Sequence, residues 1–293
     1  MKQLKYMLLF SLLLWGTTSC SDDSLDDNSI FDTEAVERNE FDTWLLNNYV
    51  YPYNIDFKYR MEYKESDTSY NLVPADFDKS VAMAKLVKYL WIDSYVEVMG
   101  NQRSFICTYG PKMIHLIGSP AYDEGQIKLG TAEGGLKVTL YNVNALDADV
   151  VDVAMLNRWY FRTMHHEFAH ILHQTIEFQQ EFYEISSGQY TGSGWVNISD
   201  ETALARGFIT AYGSNEVHED FAEMVSNYVT HDADWWSEQM SIAGSGATYI
   251  EQKLELVKEY MTDSWEIDLD SLRDIVQRRS EQVIYLDLKN LND

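Results

Sequence analysis

Residues 164–174 read MHHEFAHILHQ, which sets His165, His166, Glu167, His170 and His173 among Met164, Phe168, Ala169, Ile171 and Leu172. Burying ionisable groups is costly unless they are paired or coordinated, so any fold that accepts this stretch has to supply partners for them. Helical spacing sorts the residues: Phe161, Met164, Phe168, Ile171, Leu172 and Phe178 recur as an apolar stripe, while Arg162, His166, His170 and Glu177 fall on another line. His166-Glu167-Phe168-Ala169-His170 is an H-E-x-x-H pattern. Four residues is just over one turn, so both imidazoles project from one face and meet a single ion while Glu167 leans over it.

Zinc in a catalytic site takes three protein side chains and leaves a fourth position for water, so a third donor is expected elsewhere in the chain. His173 lies seven residues beyond His166, about 10 Å of helical rise, too far to share one ion on a straight helix. It reads as a residue behind the ligands or on the helix surface. A better candidate is the segment YGSNEVHEDFAEMVSNYV, residues 212–229. There Val217, Phe221, Met224, Val225 and Tyr228 form an apolar stripe, and Glu219, Ala222, Glu223 and Ser226 form a second face. The small residues let a neighbouring helix approach closely, so Glu219 reaches the ion. Glu223, one turn deeper, accepts the other N–H of a ligand histidine and fixes its tautomer. Taken without the H-E-x-x-H helix, the same carboxylates read as a solvated acidic face.

The N-terminus reads MKQLKYMLLFSLLLWGTTSC, two lysines, an apolar run from Met7 to Trp15 and then small residues. The run is too short to span a bilayer permanently and has the order of a secretory signal, residues 1–19, with cleavage before Cys20. A cysteine at the mature N-terminus resembles a bacterial lipoprotein, although Thr17-Thr18-Ser19 departs from the usual box. The alternative is an ordinary secreted protein with a free cysteine. Cys107 is the only other cysteine, so lipidation at Cys20 leaves no intramolecular disulfide, and the fold stands on its core. No other stretch is long and apolar enough to cross a membrane, so anchoring, if any, is by lipid.

Cleavage removes Lys2 and Lys5 and takes the formal net charge from −25 to −27. Nucleic acid and anionic membrane surfaces repel such a chain. Residues 20–40 are acidic and poor in large apolar side chains, which reads as a flexible tether. The folded domain is expected over 41–293. A short helix is predicted at 41–51, a strand within 54–63, and a helix capped by Asp76 running to about Met99. SFICTYG, KMIHLIG, GQIKLG and LKVTLYNV read as strands, with GTAEGG as a turn. Helices follow at roughly 150–183, 215–231, 246–262 and 269–282, with 184–210 as loop. Strands followed by helices argue an α+β domain with a small mixed sheet.

H-E-x-x-H followed by a helix carrying E-x-x-x-E resembles the gluzincin metallopeptidases. Tyr212, seven residues before Glu219, is similar to the tyrosine of lethal-factor-type enzymes, whose phenol faces the substrate. KMIHLIGS, LGTAEGGLKVTLYNVN, HHEFAHILHQ, GF then YGS, and EDFAEM, in this order behind a lipoprotein signal, resemble the zinc-binding metallopeptidase lipoproteins found with starch-utilisation-type outer-membrane uptake systems. The resemblance spans about residues 40–285. It implies a zincin-like fold, one catalytic Zn²⁺ on His166, His170 and Glu219, Glu167 as general base and Tyr212 as an oxyanion donor. It also implies a peptide or protein substrate, which would pair along LKVTLYNV as a sheet edge, and uptake-complex proteins as partners. Ser21-Asp22-Asp23 resembles a surface-export signal, which places the protein on the outer membrane facing outward. The rival reading is a non-catalytic surface lipoprotein, a scaffold whose zinc is closed off by a fourth protein ligand such as His173 or His218.

Overall fold

In the computed structural model, residues 37–66, 69–123, 126–128, 130–133 and 136–291 are described. The signal, Cys20 and the tether up to residue 36 lie outside them. From Asn39 onward the described residues belong to one compact unit. Helix α1 (Glu40–Leu45) starts in a reciprocal cap, Asn39 Oδ1 accepting from Asp42 N at 2.7 Å and Asp42 Oδ2 accepting from Asn39 N at 3.0 Å. A π-type turn, Leu46–Val50, and a final turn, Tyr51–Tyr53, carry the chain to β1 (Asp56–Lys58). The alternating pattern that predicted a strand over 54–63 yields pairing at these three residues alone.

Asp76 caps α2 (Phe77–Leu86), accepting from Asp78 N and Lys79 N. The helix continues through a π-type turn, Val87–Ile92, into α3 (Asp93–Val98). Every residue from Ser80 to Val87 is buried, so this is a central helix rather than an amphipathic one. SFICTYG, expected as a strand, is helix α4 (Ser104–Tyr109). Burial overrides its β-propensity: Phe105 packs edge-on against Phe168 at 5.8 Å and Trp265 at 6.0 Å, and Ile106 is fully buried beside it.

Strands β2 (Met113–Leu116), β5 (Gly130–Glu133) and β6 (Lys137–Leu140) join β1 in a mixed sheet of order β1-β2-β6-β5. β1, β2 and β6 run parallel, and β5 runs antiparallel to β6 with Gly130 opposite Leu140 and Glu133 opposite Lys137. Strands β3 (Ala121–Asp123) and β4 (Gln126–Lys128) form a separate antiparallel pair. Two expectations are corrected here. GTAEGG is not simply a turn, because its Gly130–Glu133 part is strand; Gly134 and Gly135 lie outside the described residues. LKVTLYNV is not the sheet edge, because β5 covers β6 on that side.

After the sheet come α5 (Val153–Leu156), a π-type turn, Asn157–Phe161, and α6 (Arg162–Thr175), the H-E-x-x-H helix. The predicted helix over 150–183 is therefore broken. Ile176 adopts an extended conformation, Phe178 turns inward to stack on Phe221 at 4.3 Å, and α7 (Gln180–Ile185) begins anew. The stretch expected as loop contains α8 (Asp200–Ala205). Helix α9 (Val217–Thr230) lies along α6, and α6 also touches β5. Helix α10 (Ala233–Ala243) was not anticipated; α11 (Ala247–Trp265) and α12 (Leu269–Gln282) close the fold.

Candidate metal centre

Helix α6 is pinned from its apolar side. Phe168 meets Trp91 edge-on at 5.2 Å and Tyr95 at 4.9 Å, and His165 Nδ1 lies 2.9 Å from the Tyr95 hydroxyl. His165 is fully buried, and burial pushes its pKa down to about 3, so it is a neutral core histidine. With Phe168 and His165 committed to the core, His166 and His170 face α9.

Three donor atoms then converge. His166 Nε2 lies 3.0 Å from Glu219 Oε2, His170 Nε2 lies 3.2 Å from the same oxygen, and the two nitrogens are 3.1 Å apart. A tetrahedral zinc with bonds near 2.0–2.1 Å holds its ligand atoms about 3.3 Å from one another. Three mutual separations close to that edge, on two imidazoles and one carboxylate, are the donor set and spacing a zinc ion takes. Among the described residues this group has three members and no fourth histidine, cysteine or carboxylate.

Behind the donors stands a layer of acceptors. Glu223 Oε1 is 2.9 Å from His166 Nδ1. Its other oxygen accepts from Thr210 Oγ1 at 2.7 Å and from Asn227 Nδ2 at 3.3 Å, so the carboxylate is itself held in place. His170 Nδ1 is 2.8 Å from His173 Nε2. His173 is buried rather than on the surface, at 4 % exposure, and its pKa is pushed down to about 3 by burial with help from His170 and His218. Sequence reasoning missed both residues that hold Glu223: helical spacing could have found Asn227, one turn after Glu223 on α9, whereas Thr210 carries no sequence signal.

The electrostatics centre on His166. Burial alone would lower its pKa, but hydrogen bonds to Glu219 and Glu223 outweigh that and hold it up to about 10 in the metal-free protein. Burial likewise pushes the two carboxylates up, yet the histidines win: Glu219 sits well below the carboxylate range and Glu223 at about 2. Two carboxylates against one protonated imidazole leave the site net negative, which favours a cation. Tyr212, on the turn Tyr212–Ser214, is hydrogen-bonded to Glu219; burial and that carboxylate raise its pKa well above the phenol value, so it keeps its proton. Its ring lies 5.8 Å from His166 and meets Trp195 edge-on at 4.9 Å. Glu167 follows His166 on the partly exposed side of α6.

Sequence reasoning missed the device that seats α9. Asp220 and Lys253 are both fully buried, with Lys253 Nζ 2.5 Å from Asp220 Oδ2. Lys253 also donates to Gly207 O at 2.8 Å, and the Tyr190 hydroxyl donates to Asp220 Oδ2 at 2.9 Å. This network ties the residue after Glu219 to α11 and to the bend that follows α8.

No curated protein matches the chain. The chain is similar, at 49 % identity and a TM-score of 0.77, to the crystal structure at 2.10 Å of a protein from Bacteroides caccae described as a "putative zinc-binding metallo-peptidase". The match covers 90 % of this chain and 100 % of that one. A family profile with the same description matches residues 34–270, so the chain belongs to this family of zinc-binding metallo-peptidases.

Proposed function

We propose that the protein is a zinc-dependent peptidase of gluzincin type, with a zincin-like fold, that hydrolyses peptide bonds at the bacterial cell surface. The observation that carries the reading is the trio of His166, His170 and Glu219, with ligand atoms 3.0–3.2 Å apart and no fourth protein donor among the described residues. A structural zinc is enclosed by four protein ligands, whereas a catalytic one keeps a position open. The same observation weighs against the non-catalytic scaffold.

Zinc, when bound by these three residues, supplies Lewis-acid chemistry that acidifies a water and polarises a carbonyl. Glu167 takes the proton from the attacking water on its carboxylate and returns it to the leaving nitrogen. Glu223 holds the Nδ1 proton of His166, which keeps Nε2 free to act as a donor. Tyr212 turns its hydroxyl from Glu219 to the developing oxyanion. β5, the edge strand nearest α6, offers backbone groups to an extended peptide, which would give affinity with little sequence selectivity. The mature chain is proposed to begin at lipidated Cys20 and, through Ser21-Asp22-Asp23, to face outward beside uptake-complex proteins.

Zinc content and hydrolysis of casein or a peptide library test the assignment. Glu219→Ala is expected to lose zinc. Glu167→Gln keeps the shape but cannot accept a proton, so it should retain zinc and lose activity by several orders of magnitude. Tyr212→Phe should keep zinc and lose on the order of a hundredfold in rate. A wild-type protein that binds zinc and cleaves nothing, co-expressed neighbouring proteins included, would favour the scaffold.

A further inference from the structure

Behind the trio stands a second group of metal-binding side chains that the proposed chemistry does not use. His173, Glu177 and His218 each place one ligand atom within 4.8 Å of the other two. They come from α6, from the break that follows it, and from the first turn of α9. His173 Nε2 lies 2.8 Å from His170 Nδ1. At 4 % exposure His173 is buried with its ring stacked on that of His218, centroids 4.8 Å apart, so the two imidazoles are already held side by side. His218 is arranged as metal-binding histidines are. Its Nε2 faces the Tyr183 hydroxyl at 3.2 Å and Glu177 Oε1 at 3.9 Å, and its Nδ1 lies 3.5 Å from Glu216 Oε2, a carboxylate placed to orient the ring.

We infer that His173, Glu177 and His218 form a second divalent-metal site, distinct from the trio. Two imidazoles and a carboxylate suit zinc and its transition-metal neighbours rather than calcium or magnesium. The spacing is wider than a zinc edge, so the group has to contract. Glu177, half exposed on the irregular break between helices and held only by Phe178 N at 3.3 Å and the Tyr183 hydroxyl among the described residues, is the member that moves. A site that contracts on binding is weaker than one already at its final spacing.

The second site opposes the first, and this consequence, unlike the site itself, rests on His170 holding zinc as proposed above. With its Nε2 on zinc, His170 has its ring proton on Nδ1 and donates it to His173 Nε2, 2.8 Å away. That leaves the proton of His173 on Nδ1. A metal on either ring nitrogen of His173 breaks this contact: on Nε2 it takes the lone pair that accepts from His170, and on Nδ1 it moves the proton to Nε2, so that two N–H donors face each other across the gap. Filling the second site therefore strains the ring of His170, and excess zinc should slow hydrolysis.

Zn²⁺ itself is the probe, titrated into full-length mature protein with bound metal counted by equilibrium dialysis. Two equivalents are expected, the second weaker. His166→Ala should remove the tight one, while His218→Ala and Glu177→Gln should each remove the weak one, keep the tight one and abolish inhibition by excess zinc. If wild type binds one equivalent that only His166→Ala removes, or if a weak equivalent survives both His218→Ala and Glu177→Gln, the second site is refuted and the proposed function stands. If the one equivalent bound is lost in His218→Ala and kept in His166→Ala, the second site holds and the first assignment falls.

Discussion

His166 is caught between two carboxylates and has one proton to trade for a metal. Its pKa of about 10 in the metal-free protein means that the ring is charged at neutral pH, and zinc must expel a proton to bind Nε2. Between the ordinary histidine pKa and about 10, zinc binding should release roughly one proton from this ring, with affinity rising as pH rises and levelling off above about 10. Calorimetry in two buffers of different ionisation enthalpy measures the count directly. Glu223→Gln removes a carboxylate that raises the pKa, so proton release at pH 8 should fall, while zinc affinity corrected for proton competition should drop about 10–100-fold. The sign for stability is opposite to that for zinc. A raised histidine pKa stabilises the metal-free fold fully below the unfolded value, and that contribution is lost as pH rises through about 10.

Helix α9 carries Glu219 and Glu223 while buried from Asp220 to Thr230, so its place is set by polar contacts as well as by packing. The Asp220–Lys253 pair anchors its first turn to α11. Gly207 supports that anchor: its φ of +88° suits glycine, its carbonyl accepts from Lys253, and an added Cβ would lie 2.6 Å from Tyr249 Cβ. Removing one partner leaves the other charge buried and unpaired. Lys253→Met is expected to cost about 3–5 kcal/mol in urea denaturation, whereas Asp220→Leu combined with Lys253→Met should recover much of that loss. Recovery of stability without recovery of zinc affinity would show that the pair positions Glu219 rather than merely holding the helices together.

At the scale of the molecule, the matched family region ends at residue 270, but the fold does not. Helix α12 buries Leu272 and Val276, Arg279 Nη2 pairs with Glu97 Oε2 at 2.8 Å, and Lys85 Nζ reaches Asn290 O at 2.6 Å. Truncation after Asp268 should therefore expose the faces of α3, α9 and the turn Val87–Ile92 that α12 covers. Loss of a cooperative thermal transition by circular dichroism is the expected result. The other end tests location: Cys20→Ala should abolish incorporation of labelled palmitate, and external protease should remove the wild-type protein from intact cells. Protein digested only after lysis would show that the acidic tether is a linker and nothing more.

What the sequence determined by itself is what helical geometry makes local. His166 and His170 share a face because they are four residues apart, and the two-face pattern of residues 217–229 picked out Glu219 and Glu223 for the same reason. The cap at Asp76 and the bounds of α12 were legible because their signals lie within one turn. Tertiary structure decided the rest, wherever a distant partner outweighed local preference. Ser104–Tyr109 is helical because Phe105 and Ile106 both find the core, and Gly130–Glu133 is a strand because β6 offers it a partner. Thr175 ends α6 because Phe178 is drawn onto Phe221. Asp220 and Lys253 look like surface charges in sequence and are fully buried in the fold, since only packing shows that each has the other. The three donor atoms themselves span 53 residues of sequence, and their approach to within 3.2 Å belongs to the packing of α6 on α9.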